Sequence, residues 1–164
     1  MVIRFGILTV SDRSSKGERP DTSGPVLHEL VLSQGWEVVK QEIVPDEKEI
    51  LSEKMITWVD IEKLDVILTT GGTGFSPRDI TPEATCTVIE REAPGIAEAM
   101  RSFSLQITPH AMLSRATAGI RASTLIVNLP GSPKAAQENF QAIQMVLEHA
   151  VQLLHEDPSA EAGH

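Results

Sequence analysis

The chain has no tyrosine, four phenylalanines and two tryptophans among its 164 residues. A surface that stacks unpaired bases needs exposed aromatic rings, so this shortage argues against a nucleic-acid platform. Positive charge is scarce as well: 14 Lys and Arg face 23 Asp and Glu, a formal net charge of −9. That balance disfavours non-specific attraction to nucleic acid or to acidic membranes, and neither is expected as a partner. The single cysteine, Cys86, rules out an intrachain disulfide framework or a cysteine-rich zinc site and fits a reducing cytoplasm. No apolar run nears the roughly 18 residues that span a bilayer. Met1 to Phe5 enters a strand pattern at once, so no signal peptide is expected. The five histidines show no metal-ligand spacing. None of these shortages excludes a small phosphorylated ligand, because backbone dipoles and local donors decide that contact.

What is present is an alternation of strands and helices. Ile3–Val10, Trp36–Val44, Leu64–Thr70 and Thr124–Asn128 read as strands. Ser11–Gly24 is polar and reads as a loop, after which Ser23-Gly24-Pro25 opens a helix to Gln34. Asp46 with Glu49 three residues on resembles a capping box for a helix to about Asp60. Thr81-Pro82-Glu83 carries another N-cap, proline and acid signature. Ile96–Leu105 is helical in pattern, Thr108–Arg115 is a short irregular segment, and Ala116–Gly119 carries only weak signals. Ser132-Pro133 can cap a last helix, from about Lys134 to Leu154. Residues 1–155 form one domain on this reading, with 156–164 a polar, frayed tail. The expected fold is α/β: three layers, with a mostly parallel twisted sheet between helices on both faces.

Right-handed crossovers place the loops that follow parallel strands along one edge, where such folds bind ligands. Four loops belong there: Ser11–Gly24, Pro45–Asp46, Gly71–Thr81 and Pro130–Pro133. Gly71-Gly72-Thr73-Gly74 matches neither the P-loop nor the Rossmann glycine spacing. It reads as a tight turn or as a phosphate loop, with Thr73, Ser76 and Arg78 supplying donors. Arg78 has a plainer reading as a surface ion-pair partner. Asp79 reads as a Mg²⁺ ligand or as a turn acceptor, and Asp46 as a metal ligand or as a helix N-cap. Asp21 reads as a loop-turn residue. Pro130-Gly131-Ser132-Pro133 is a stop-and-cap or an anion site. Two strand spacings, roughly 10 Å, separate Asp46 and Asp79 if the first strand lies between the second and third, and one spacing, about 5 Å, if their strands are adjacent, when they could share a metal directly. No histidine or cysteine stands ready as a nucleophile, so positioned phosphate chemistry is the better class.

The chain resembles the molybdopterin-binding family of molybdenum cofactor biosynthesis. The resemblance runs through Thr9-Val10-Ser11-Asp12, Asp21-Thr22-Ser23-Gly24-Pro25, Val44-Pro45-Asp46 and Thr70-Gly71-Gly72-Thr73-Gly74. It continues through Pro77-Arg78-Asp79-Ile80-Thr81-Pro82-Glu83, Leu113-Ser114-Arg115 and Asn128-Leu129-Pro130-Gly131-Ser132-Pro133-Lys134, nearly the whole chain in order. It implies a molybdopterin adenylyltransferase, which joins AMP from Mg·ATP to the molybdopterin phosphate and releases pyrophosphate. A non-catalytic pterin-binding or scaffold protein of the same pathway is the alternative. The resemblance further implies catalytic and Mg²⁺-holding roles for Asp46 and Asp79. It implies ligand contacts at Ser11, Asp12, Gly71, Gly72, Thr73, Gly74, Arg78, Ser114, Pro130, Gly131 and Ser132. Among these, the glycine loop falls on the ATP side, and Ser114, Gly131 and Ser132 on the pterin side. A cytoplasmic homotrimer and a molybdate-insertion enzyme as partner are implied as well.

Overall fold

Period-two burial sets the sheet. In a computed structural model, which describes residues 1–163, Ile3, Phe5 and Ile7 of the first strand segment point to one face, and Leu8 and Val10 to the other. The strand itself, β1, spans Arg4–Val10. It is followed by β2 (Glu37–Val44), β3 (Val66–Thr70), β4 (Arg91–Glu92), β5 (Ala118–Arg121) and β6 (Thr124–Leu129). All five residues of β3 and all six of β6 are buried, as expected of strands covered on both faces. The spatial order is β2-β1-β3-β6-β5-β4. The first four are parallel, while β5 runs antiparallel to β6, and β4 antiparallel to β5.

The helices are α1 (Asp12–Ser15), α2 (Ser23–Ser33), α3 (Lys48–Asp60), α4 (Thr81–Val88), α5 (Pro94–Leu105) and α6 (Pro133–Leu154). α2, α5 and α6 cover one face through Leu27, Val31, Met100, Phe140, Ile143 and Leu147, against Phe5, Leu68 and Val127. α3 and α4 cover the other through Leu51, Met55, Trp58, Ala84 and Val88, against Leu8, Ile67 and Ile126. Two separate cores with the sheet between them make the three-layer α/β arrangement that the alternating pattern calls for.

Several local expectations are corrected. Ser11–Gly24 is not all loop: Ser11 caps the four-residue α1, its Oγ accepting from the Ser14 N–H at 3.1 Å. Asp46 does not cap α3; Glu47 occupies the cap position and makes no side-chain cap bond. Thr81 lies inside α4, and its hydroxyl donates to the Gly71 carbonyl at 2.8 Å. The weakly patterned Ala116–Gly119 region contains the start of β5. Ser132 does cap α6, its Oγ accepting from the Ala135 N–H at 3.2 Å. In the C-terminal segment Pro158–Gly163 forms a 3-10 turn in which Ala160 is buried, and just before it His155 Nε2 lies 2.8 Å from Asp65 Oδ1. His164 lies outside the described residues.

Candidate active site

The carboxyl ends of β2, β1, β3 and β6 are in register: Val44 stands beside Val10, Thr70 beside Thr9, and Leu129 beside Thr70. Each strand therefore releases its loop at the same edge. Together the four loops line an open cleft of about 760 Å³. Its wall includes Ser11, Asp12, Asp46, Gly71, Gly72 and Asp79, with Gly131 and Ser132 opposite.

Asp12 and Asp46 exchange hydrogen bonds across the first two loops. Asp46 Oδ2 accepts from the Asp12 N–H at 2.9 Å, and Asp12 Oδ1 accepts from the Asp46 N–H at 3.0 Å. Arg78 closes this clasp from the third loop. Its Nε donates to Asp12 Oδ2 at 2.6 Å, and its Nη2 to Asp12 Oδ1 at 3.0 Å, Glu47 Oε1 at 2.9 Å and the Asp46 carbonyl at 3.1 Å. The guanidinium holds the Asp12 carboxyl below the usual carboxylate range. Asp46 moves the other way: burial, and then the charges of Asp12 and Asp79, push its pKa up. The pKa values of two neighbouring carboxylates are thus shifted in opposite directions, and both residues line the cleft.

The glycine loop runs under this acidic pair. Gly71 has φ +102 and Gly72 φ +69, both in the region that glycine adopts freely. A Cβ on Gly71 would run into the Val10 carbonyl oxygen, and one on Gly72 into the Thr81 hydroxyl and toward Asp46 Oδ1. Gly131 packs on the other side, where a Cβ would lie 3.2 Å from the Gly71 Cα. The N–H groups of Gly72, Thr73 and Gly74 donate to no group among the described residues. Asp79 stands at the far end of the loop, Oδ2 accepting from the Ser76 N–H at 3.0 Å. Free N–H donors, a capped helix start at Ser132 and two carboxylates across a cleft are the parts needed to hold a polyphosphate and a hard divalent cation.

Comparison with known proteins shows the family and the fold. A family model described as a probable molybdopterin binding domain matches residues 6–149. The chain belongs to this family. It is 42% identical over 154 residues to the molybdopterin adenylyltransferase of Helicobacter pylori, covering 93% of this chain and 88% of that protein. It is 48% identical over 159 residues to the molybdenum cofactor synthesis protein cinnamon of Drosophila melanogaster, covering 96% of this chain. It spans only 26% of that longer relative. Among solved structures, the molybdopterin biosynthesis enzyme MoaB of Thermus thermophilus superposes with a TM-score of 0.90 at 50% identity, covering 96% of this chain and 99% of that one.

The molybdopterin-binding domain divides the residues singled out in the sequence between two adjoining hollows. Ser11, Asp12, Asp46, Gly71, Gly72, Asp79, Gly131 and Ser132 line the larger cleft. Thr73, Gly74, Ser114 and Pro130 line a second hollow of about 280 Å³, which Arg101, Ser104, His110 and Asn139 complete. Arg78 lines neither hollow and is taken up by Asp12 and Glu47. Asp21 does what its turn reading implies: Oδ1 accepts from the Gly24 N–H at 3.0 Å and Oδ2 from the Thr9 hydroxyl at 2.8 Å. Besides Arg101, three arginines escaped the sequence reading. Arg13 and Arg19 line the larger cleft. Arg115 hydrogen-bonds the main chain at both ends of the loop that carries Asp79. Only the adjacency of Arg115 to Ser114 in the quoted run could have signalled it.

Proposed function

We propose that this protein is a molybdopterin adenylyltransferase acting in molybdenum cofactor biosynthesis. The observation that carries the proposal is that Asp46 and Asp79 both line one cleft formed by four strand-end loops, with Asp46 Oδ1 near Gly72 and Asp79 Oδ2 near Gly74. On this reading ATP occupies the larger cleft, and molybdopterin extends from Gly131 and Ser132 into the second hollow past Ser114. An oxygen of the molybdopterin phosphate bonds to the α-phosphorus of ATP as the bond from that phosphorus to the pyrophosphate oxygen breaks. The attacking oxygen is already anionic, so no protein base is needed. Catalysis then rests on alignment and on charge stabilisation.

Ser11, Gly72, Thr73, Gly74, Gly131 and Ser132 bind and orient phosphate oxygens through N–H and hydroxyl donors. Among the described residues no three His, Cys, Asp or Glu form a metal-holding group. Mg²⁺, however, is bound through one or two carboxylates with substrate phosphates. Burial, and then the charges of Asp12 and Asp79, raise the pKa of Asp46, and a cation at its carboxylate would favour the ionised form. Asp46 and Asp79 are therefore the residues that would hold Mg²⁺, which neutralises the charge on the leaving pyrophosphate.

On this reading the protein is cytoplasmic, and its adenylylated product passes to a molybdate-insertion enzyme. A homotrimer is supported by apolar side chains left exposed on α6, Met145 at 90% and Val146 at 49%, beside a groove lined by Ala93, Pro94, Ile96, Ala99 and Ala142. Incubation with molybdopterin and Mg·ATP, followed by mass analysis, tests the reaction. Adenylylated molybdopterin and pyrophosphate appear with the native chain, and their rate of formation falls by about 10²–10³-fold with Asp79→Ala, which still binds the pterin. Pterin binding without pyrophosphate release identifies a scaffold instead.

A further inference from the structure

The loop from Gly74 to Asp79 is short, largely exposed and open to solvent on one side, yet it must deliver a carboxylate to a fixed point. Its internal bonds are few: the Asp79 N–H donates to the Ser76 carbonyl at 2.9 Å, and the Ser76 N–H to Asp79 Oδ2 at 3.0 Å. These bonds orient the carboxylate relative to the loop. They do not fix the loop relative to the sheet.

Arg115 supplies that anchorage. It lies 36 residues beyond Asp79, between the 3-10 turn Pro109–Leu113 and β5. Its Nε donates to the Gly74 carbonyl at 2.7 Å, and its Nη2 to the Asp79 carbonyl at 2.7 Å. One rigid guanidinium therefore spans the two ends of the loop. The same group forks onto Glu83, with Nη1 at 2.7 Å from Oε2 and 3.0 Å from Oε1, and Nη2 at 3.1 Å from Oε1. Glu83 sits in the first turn of α4. The Arg115 N–H donates to the Thr73 carbonyl at 2.8 Å, one residue before the loop. Loop, helix and the strand-end turn are thus joined through one residue, the turn by its main-chain N–H and the loop and helix by its guanidinium. A lysine presents a single ammonium and cannot span two carbonyls and a carboxylate in one plane. Arg115 lines neither hollow, so it reaches the chemistry only through what it holds.

The geometry points to Arg115 as the positioning residue for Asp79, with Glu83 as its anchor. The inference rests on the adenylyltransferase reading for its kinetic consequence, but not for its structural one. Misplacing a catalytic group by about 1 Å costs up to about 10²-fold in rate. Arg115→Met should therefore lower kcat for AMP transfer by about tenfold or more, leaving the KM for molybdopterin within about twofold. Arg115→Lys should recover little of the loss. Because Arg115 acts through Asp79, adding Arg115→Met to Asp79→Ala should cost nothing further.

The test combines that double-mutant cycle with amide hydrogen exchange on the full chain. Arg115→Met should speed exchange at Ser76 and Asp79 by about tenfold or more, with the amides of β3 unchanged. Equal losses in the native and Asp79→Ala backgrounds overturn the inference, as does a raised KM at unchanged kcat. If the native chain releases no pyrophosphate, adenylyl transfer is refuted and exchange alone decides: unaltered protection at Ser76 and Asp79 then overturns the clamp. Should Arg115→Met fail to fold, Glu83→Gln, which keeps both carbonyl bonds and loosens the anchor, carries the same cycle.

Discussion

Replacing Gly71 by alanine separates the two reasons for a glycine where β3 ends. The first is conformational: φ is +102, well outside the left-handed basin that side chains tolerate. Holding a non-glycine residue in such a region costs about 1–3 kcal/mol. The second is steric: the new methyl would meet the Val10 carbonyl oxygen, which is main chain at the end of β1 and cannot swing aside. Overpacking of that kind costs about 1–3 kcal/mol more. Gly35 offers the control, because it has φ +79 and nothing within 4 Å of its Cβ position. Gly35→Ala thus bears a backbone cost alone. For a chain of this size each kcal/mol lowers the melting temperature by about 2–4 °C, so Gly71→Ala should melt at least about 4 °C below native and clearly below Gly35→Ala. Both variants should be melted by circular dichroism at one protein concentration, because self-association shifts the midpoint. Since the methyl sits between the first and third loops, transfer activity should fall as well. Equal melting of the two variants would refute the contact with Val10 as the reason for glycine.

Asp46→Asn keeps an acceptor for the Asp12 N–H and removes a charge that burial and two neighbouring acids disfavour, so it should raise the melting temperature by a few degrees in metal-free buffer while abolishing transfer; a lower temperature contradicts the electrostatic account. Glu83 is held below its ordinary value of 4.5 by the Arg115 guanidinium. Its stabilising contribution is therefore complete above pH 4.5 and drains away as pH falls through the folded value, so the stability gap between native protein and Glu83→Gln should close in acid. That gap is at most about 1 kcal/mol for so exposed a pair, and urea titrations from neutral to acid pH measure it. Thr81→Val preserves shape but leaves the Gly71 carbonyl without its 2.8 Å donor, a loss of about 1–3 kcal/mol visible in the urea midpoint.

The parallel core was legible because its strands are buried on both faces and read as short apolar runs between polar loops, as Val66–Thr70 and Thr124–Leu129 do. Knowing that those strands are parallel was enough to gather four loops at one edge. β5 and β4 were not legible. Arg91–Glu92 is two exposed residues long, and Ala118–Arg121 carries no alternation, so their pairing depends on a neighbour rather than on their own pattern. Asp46 shows the same limit at the site. Its spacing from Glu49 satisfies a capping box, yet its carboxylate accepts from Asp12, 34 residues away in sequence, whose N–H the pairing of β1 with β2 brings alongside. Local rules could name the residue types but not choose among partners supplied by the fold.

The two arginines flanking Asp79 solve different parts of one problem. A cleft that gathers Asp12, Asp46 and Asp79 repels itself, and flexible loops would relieve that repulsion by moving apart. Arg78 neutralises Asp12 from the rim and ties the second loop to the third. Arg115 leaves the carboxylate of Asp79 alone and grips its carbonyl instead. The carboxylate that is ion-paired is thus Asp12, whereas Asp46 and Asp79 make no ion pair among the described residues while their loops are held in place. Ordering these loops is accomplished during folding, through bonds to backbone carbonyls, and does not have to be drawn from substrate binding. Preorganised charge of this kind is what a reaction without a protein base requires, since alignment and electrostatics are all that the chain has to contribute.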